Sequence, residues 1–144
     1  MATSYMELTK LTEQNDVVAQ DGALIFDTVI SSWGTRISYD MAGTITFNES
    51  GFYYIDWYIA PQHGLTTNGS NWAIQTGDGR LSLIGSSHTK VSATTGFAII
   101  NAAANDTVRL VNVSDGVLHL SRAVDAKAGL IVYGIMLQGA TQEE

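Results

Sequence analysis

The sequence contains no cysteine and a single proline, Pro61, among its 144 residues. Without cysteine there is no disulfide, no thiol nucleophile and no thiolate metal site. Basic residues are also few: seven Lys and Arg stand against fourteen Asp and Glu, which gives a formal net charge of −7. They are scattered singly rather than clustered, so we expect neither nucleic acid nor an anionic membrane surface as a partner.

Long apolar runs are missing as well. A membrane-spanning helix needs roughly 20 apolar residues, whereas the longest run here, Leu130 to Leu137, has the length of a strand. The first residues, Met-Ala-Thr-Ser-Tyr, have neither the basic region nor the apolar core of a signal peptide. We therefore expect no signal peptide and no membrane insertion.

Residues that favour β-strands are abundant. The chain has 10 Val, 12 Ile and 15 Thr but only 5 Glu and 3 Lys, so side chains that suit a pleated sheet outnumber those that suit an exposed helix. Fourteen glycines help to separate about nine or ten short strand-like runs. The sequence predicts an all-β fold, a two-sheet jelly-roll sandwich of about ten antiparallel strands, in a single domain over residues 1–144.

The individual strands can be placed along the chain. The segment Tyr5–Leu11 is either an edge strand, which we favour, or one helical turn. A hairpin is expected at 114–116, between strands at 107–113 and 117–121. The remaining predicted strands are 23–30, 44–47, 52–60, 72–76, 81–84, 96–101 and 130–137, with a turn at 31–34, loops at 62–71 and 85–88 and a frayed tail at 138–144.

The predicted strand at 52–60 is rich in aromatic residues on both faces. Alternation across a sheet places Tyr53, Ile55, Trp57 and Ile59 on one face and Phe52, Tyr54, Asp56 and Tyr58 on the other. Both sets are rich in aromatic area, so we expect one of them to point into the sandwich. An ordinary exposed face would carry Lys, Glu, Thr or Ser, so the outward set is predicted to meet another copy of the chain.

The predicted subunit interface includes residues of two other predicted strands. Asp56 is either a charge at the subunit boundary or an ordinary exposed sheet residue. The candidate interface residues are Phe52, Tyr54, Asp56, Tyr58, Ile99 and Val132.

Motifs for catalysis are absent from the sequence. There is no Gly-x-Ser-x-Gly, no His-Glu-x-x-His and no glycine-rich loop followed by Lys-Ser/Thr. His63, His88 and His119 are too far apart for a local metal-binding motif, and we interpret them as surface or loop residues. No Asp-x-Asp-x-Asn loop occurs, although a Ca²⁺ site shared by several loops stays open. We predict a non-enzymatic protein without catalytic residues, metal ligands or a cofactor.

Several short motifs, taken in order, carry a resemblance to a known family. They are Phe26–Val29, Gly34–Ser38, Phe47–Ile55, Gly85–Ser87, Asp106–Leu110 and the apolar closing strand from Gly129. Over residues 20–137 this series resembles the complement globular-head and tumour-necrosis-factor-like superfamily. Within it, the series is most similar to the C-terminal domains of BclA-like collagenous glycoproteins from bacterial spore surfaces.

The resemblance implies a ten-stranded jelly roll that assembles as a tight homotrimer, often at the end of a collagen-like stalk. It also implies that the set with Tyr53 and Trp57 points into the sandwich, which leaves the set with Tyr54 and Tyr58 for a neighbouring subunit. It also implies an extracellular location on a bacterial spore or cell surface, and no catalytic residues. The sequence departs from the family in having no Gly-X-Y repeat before the domain. The leading hypothesis is a homotrimeric surface domain that drives assembly of a collagen-like or fibrous protein and displays its loops outward.

The alternative hypothesis is a ligand-recognition tip of a cell-surface or phage fibre, which binds a carbohydrate or a host receptor. Its site would lie in the loops at 62–71 and 77–80. Trp72, which begins a strand, is either a stacking platform for such a ligand or a core residue. The candidate ligand-binding residues are His63, Trp72, Asp78 and Arg80.

Overall fold

The computed structural model describes residues 2–66, 69–89 and 91–135. In these ranges the chain forms thirteen β-strands and no helix, so the described part has no helix that could cross a membrane. The strands are β1 (Ala2–Lys10), β2 (Val17–Val18), β3 (Thr28–Trp33), β4 (Ile37–Tyr39), β5 (Ile45–Phe47), β6 (Gly51–Ile59), β7 (Pro61–Gly64), β8 (Ser70–Thr76), β9 (Leu81–Ser87), β10 (Thr94–Ala102), β11 (Asp106–Asn112), β12 (Leu118–Leu120) and β13 (Ala128–Ile135).

Ten of these strands form two five-stranded sheets, and all their pairings are antiparallel. The β6 sheet has the order β10-β6-β13-β1-β3, and the β8 sheet has the order β4-β5-β11-β8-β9. The other three form a small sheet, β2-β12-β7. The predicted all-β jelly-roll sandwich is confirmed.

The hydrophobic core lies between the two large sheets and follows the predicted alternation of β6. Tyr53, Ile55, Trp57 and Ile59 are each at most 2% exposed, so the prediction that this face points inward is confirmed. From the β8 sheet, the ring of Phe47 stacks on Tyr53 with 4.2 Å between centroids. Burial of aromatic rings from both sheets is the main source of stability in such a sandwich.

The Trp57 indole lies against two glycines at one edge of the sandwich. A Cβ atom on Gly85 of β9 would lie 2.3 Å from Trp57 Cη2, and one on Gly96 of β10 would lie 2.4 Å from Trp57 Cζ2. Real side chains do not approach so closely. The two glycines therefore provide the space that the indole fills.

Several predictions about individual segments are wrong. The Tyr5–Leu11 segment belongs to β1, which pairs with both β13 and β3 and so lies inside the β6 sheet rather than at its edge. Residues 23–27 are outside the strands, although Ala23 makes an isolated bridge with Val111. The expected turn at 31–34 and the expected loops at 62–71 and 85–88 are partly strand, because they overlap β3, β7, β8 and β9. The predicted tail at 138–144 lies outside the described residues.

The predicted hairpin at 114–116 is also wrong. β11 pairs with β5 and β8, whereas β12 pairs with β2 and β7. Asn112 directs this change of sheet: its buried amide donates to Val18 O and Gly116 O at 3.0 Å, and its Oδ1 accepts from Ser114 N at 2.9 Å. The backbone N–H and C=O of Asn112 pair with Gly22 O and Asp21 N rather than with a hairpin partner.

Asp27, within the Phe26–Val29 motif, ties the segment after β1 to the segment before β3. Its carboxylate accepts hydrogen bonds from Leu11 N and Thr12 N at 3.0 Å and lies 3.5 Å from the buried Lys10 Nζ. Partial burial raises the pKa of Asp27, but the hydrogen bonds from Leu11, Thr12 and Thr28 outweigh it and hold this pKa well below its ordinary value. The motif is therefore structural.

Replacing Asp27 by Asn is expected to lower the free energy of unfolding at pH 7 by about 1–3 kcal/mol. Because the folded state lowers the pKa of this carboxyl, its contribution is present above about pH 4 and fades as pH falls further. Urea unfolding of both proteins between neutral and acidic pH measures the difference, which should shrink below about pH 4. A difference that stays constant with pH would contradict the role of the charge.

Candidate functional site

A row of large side chains crosses the outer face of the β6 sheet, the face turned away from the core. From one edge to the other, the row consists of Ile99, Tyr54, Tyr133, Tyr5 and Trp33, each directly opposite the next. Ile99 is 61% exposed and Trp33 59% exposed. The rings of Tyr54 and Tyr133 lie 5.3 Å apart. We call these five residues the aromatic row.

A second row, next to the first, mixes apolar and acidic side chains. It consists of Phe97, Asp56, Ile131, Glu7 and Ser31. Tyr54 donates a hydrogen bond to Asp56 Oδ2 at 3.2 Å. Desolvation and the charge of Asp56 raise the pKa of Tyr54. The two carboxylates thus lie within an otherwise apolar surface.

An open depression of about 550 Å³ lies in this face beside the second row. Asp56, Tyr58, Gly129, Ile131 and Glu7 are among the residues that line it. The Tyr58 hydroxyl donates to Ala126 O, which holds its ring over Gly129, where an added Cβ would be 3.1 Å from Tyr58 Cε1. The face is therefore concave at this point rather than flat.

The outer face of the β8 sheet is polar by contrast. Neighbouring strands present Ser38, Thr46, Thr107, Arg109 and Gln75 there, and Arg109 donates to Gln75 Oε1. Such side chains are typical of a sheet face in contact with water. Leu81 of β9, opposite Gln75 and 49% exposed, adds an apolar side chain to this face. Among the side chains that the structure describes, the exposed aromatic ones of the two large sheets all lie on the outer face of the β6 sheet, which makes that face the candidate functional site.

Five of the six predicted interface residues lie on this face, and Val132 does not. Val132 is fully buried in the core opposite Ile55, so its prediction is wrong. The run that contains it is apolar on both faces, and sequence alone does not show which residues point inward. The residues that the sequence analysis missed on this face are Tyr5, Glu7, Ile30, Trp33, Phe97, Ile131 and Tyr133. For Phe97, the alternation within 94–102 was the available signal.

The predicted ligand-binding residues do not converge on one site. Trp72 is fully buried and donates through Nε1 to Ser70 Oγ at 2.9 Å, so it is a core residue and not a stacking platform. Asp78 and Arg80 form an exposed ion pair at 3.2 Å in the turn that follows β8, where hydrogen bonds from Thr76 and Arg80 lower the pKa of Asp78. His63 lies before β8, in the small sheet. Asp78 and Arg80 line one small depression of about 190 Å³, but neither Trp72 nor His63 is part of its lining.

The structure brings two of the three histidines together. His63 of β7 and His119 of β12 are directly opposite each other, and their rings stack with 4.1 Å between centroids. Within residues 2–66, 69–89 and 91–135, no group of three or more His, Cys, Asp or Glu side chains could hold a metal ion. Sequence spacing gave no signal for the histidine pair, because 56 positions separate its members.

By sequence, the chain matches no family model and no curated protein. By structure, it is similar to murine APRIL, with a TM-score of 0.68 and 10% identity over 92% of this chain and 98% of that one. The globular domain of zebrafish complement 1qA gives a TM-score of 0.66 and 11% identity, covering 94% and 97% of the two chains. Vertex protein P5 of PRD1 gives 0.64 and 16%, covering 94% and 99%.

These three similarities extend over nearly the whole chain at low identity. The fold is the tumour-necrosis-factor-like and complement-C1q-head jelly roll. The two five-stranded sheets described above correspond to the two layers of such a sandwich. Identity of 10–16% shows this fold alone, and function has to be argued from the residues on its surface.

Proposed function

We propose that this chain is a non-enzymatic domain that assembles as a homotrimer through the outer face of the β6 sheet. Its role is to bring three chains of a longer fibrous or collagen-like surface protein together, as on a bacterial spore or cell surface. The observation that carries the proposal is the contrast between the two outer faces, one aromatic and one polar. The resemblance in the sequence motifs supports both the trimer and this setting.

The composition of the aromatic face supports a protein partner. Tyr, Trp and Phe are enriched in interface centres because they bury a large area at low cost in conformational entropy. Trp33, Phe97 and Ile99 are each more than half exposed in the isolated chain. Covering them in an assembly removes apolar surface from water at about 25 cal/mol per Å².

The two carboxylates on this face argue against a face-to-face dimer. In a two-fold symmetric pair the same patch meets itself, which brings Asp56 and Glu7 close to the same acidic residues of the other copy. Like charges held together with little water are strongly unfavourable. A ring, in which this face meets a different surface of the next copy, avoids that repulsion.

The position of β1 suits attachment to a stalk. This strand begins at Ala2, lies inside the β6 sheet and pairs with Ile135 of β13 at its start. The β6 sheet also carries the proposed interface, so in a trimer the β1 strands of the three chains lie close to one another. A segment attached before β1 would thereby be brought close to the same segment of the other two chains.

Light scattering coupled to size exclusion at micromolar concentration tests the proposed stoichiometry. The expected mass is three times the 15.5 kDa chain, about 46 kDa. A stable monomer, or a dimer at twice the chain mass, would contradict the proposed trimer. Attachment of a Gly-X-Y segment before residue 1 then tests the role: the fused segment should form its triple helix faster than the same segment alone.

A further inference from the structure

Two imidazole rings face each other on the outer surface of the small sheet. His119 lies directly opposite His63, with ring centroids 4.1 Å apart and ring planes inclined by 26°. Leu118 and Leu120 are buried, so alternation directs the His119 ring outward. In the part of the chain that the structure describes, no hydrogen bond occupies a ring nitrogen of either histidine.

We infer that His63 and His119 together bind one divalent transition-metal ion of the Cu²⁺, Ni²⁺ and Zn²⁺ class. Metal–imidazole bonds are about 2.0–2.1 Å long, so two adjacent nitrogen ligands on one ion are about 2.9–3.4 Å apart. Two nearly parallel rings at 4.1 Å reach that separation by modest rotation. The torsion that turns an imidazole ring about its own bond is soft.

The surroundings of the pair admit a cation. On the side of His119 away from His63, the facing residue of β2 is Val17, whose side chain has no atom that could bind a metal. Water would therefore supply the remaining ligands of an ion bound by the two histidines. Arg122, three residues after His119, is held by Asp16 at 2.7 Å and Glu13 at 3.5 Å, which offsets its charge. The chain as a whole carries −7. Imidazole ligands select transition metals over Ca²⁺ and Mg²⁺, which prefer oxygen.

Metal binding at this pair would stabilise the folded chain. β7 is an edge strand of the small sheet and pairs there with β12. The two histidines are 56 positions apart and meet only when these strands are paired. An ion that binds both rings in the folded state and not in the unfolded chain raises the melting temperature by mass action.

Calorimetric titration of the untagged protein with Cu²⁺, Ni²⁺ and Zn²⁺ tests the site. One ion per chain is expected, with affinity in the order Cu²⁺ above Ni²⁺ and Zn²⁺. His63→Gln and His119→Gln should each weaken binding by about tenfold or more. His88→Gln, which removes the exposed third histidine outside the pair, is the matched control and should bind like the original protein. The ion should raise the melting temperature of the original protein and of this control only.

A second measurement does not depend on any variant. Paramagnetic Cu²⁺, added in small amounts, should broaden the ring-proton NMR signals of His63 and His119 before those of His88. Equal broadening of all three, affinity unchanged in both His63→Gln and His119→Gln, or no binding at all would each overturn the inference.

Discussion

Tyr54→Asp is expected to separate the trimer into monomers that keep their β-structure. Tyr54 lies on β6, the second strand of its sheet, between Tyr133 of the central strand β13 and Ile99 of the edge strand β10. The substitution places a second carboxylate beside Asp56, inside the proposed contact, where an unpaired charge is strongly unfavourable. We expect trimer dissociation to become about a hundredfold easier or more, which corresponds to about 3 kcal/mol. Sedimentation equilibrium beside circular dichroism measures both properties.

Two control variants separate the proposed interface from general damage to a strand. Tyr54→Phe keeps the ring and should leave the trimer intact. Thr46→Asp introduces the same charge on the polar outer face of the β8 sheet, between Ser38 and Thr107, and should also leave it intact. If Tyr54→Asp and Tyr58→Asp both remain stable trimers, this face is not the subunit interface. If Tyr54→Asp yields no soluble protein while Thr46→Asp does, folding and assembly are coupled through this face.

Trp57→Ala is expected to destabilise the protomer itself strongly. The indole is 2% exposed and fills the space between Gly85 and Gly96, so its removal leaves a large cavity and should cost about 3–5 kcal/mol. Trp57→Phe should cost less. It retains a ring, and it removes the Nε1 donor, which is buried without a hydrogen-bond partner among the described residues. Urea unfolding followed by circular dichroism measures both losses.

The contact between Trp57 and Gly96 gives a stricter test of the same site. In the original protein, Gly96→Ala places a methyl group against the indole and should cost about 1–3 kcal/mol. In the Trp57→Ala background that methyl group enters the cavity, and the cost should vanish or change sign. A double-mutant cycle should therefore give a coupling of about 0.5–3 kcal/mol. Strictly additive effects would contradict the packing described for this tryptophan.

The faces of β6 could be predicted because the decisive information is local. Successive side chains of a strand point to opposite sides, so one stretch of sequence separated the set with Trp57 from the set with Tyr54. The resemblance to a known family then indicated which of the two sets is buried. The composition and the frequent turn residues, which are also read directly from the sequence, predicted the all-β fold class. The prediction failed for Val132 because its strand is apolar on both faces, and such a run has no alternation to read.

The sequence by itself determined the all-β class and the division of β6 into two faces that are both rich in aromatic side chains. Only the tertiary structure decided which strands are neighbours: β1 inside its sheet, β11 and β12 in different sheets, and Tyr5 and Trp33 joined to the row that contains Tyr54. It also decided that His63 meets His119 and that Trp72 is buried. The reason is physical. Antiparallel pairing joins residues far apart in the chain, and its register is set by the packing of the whole core rather than by the pattern within any one strand.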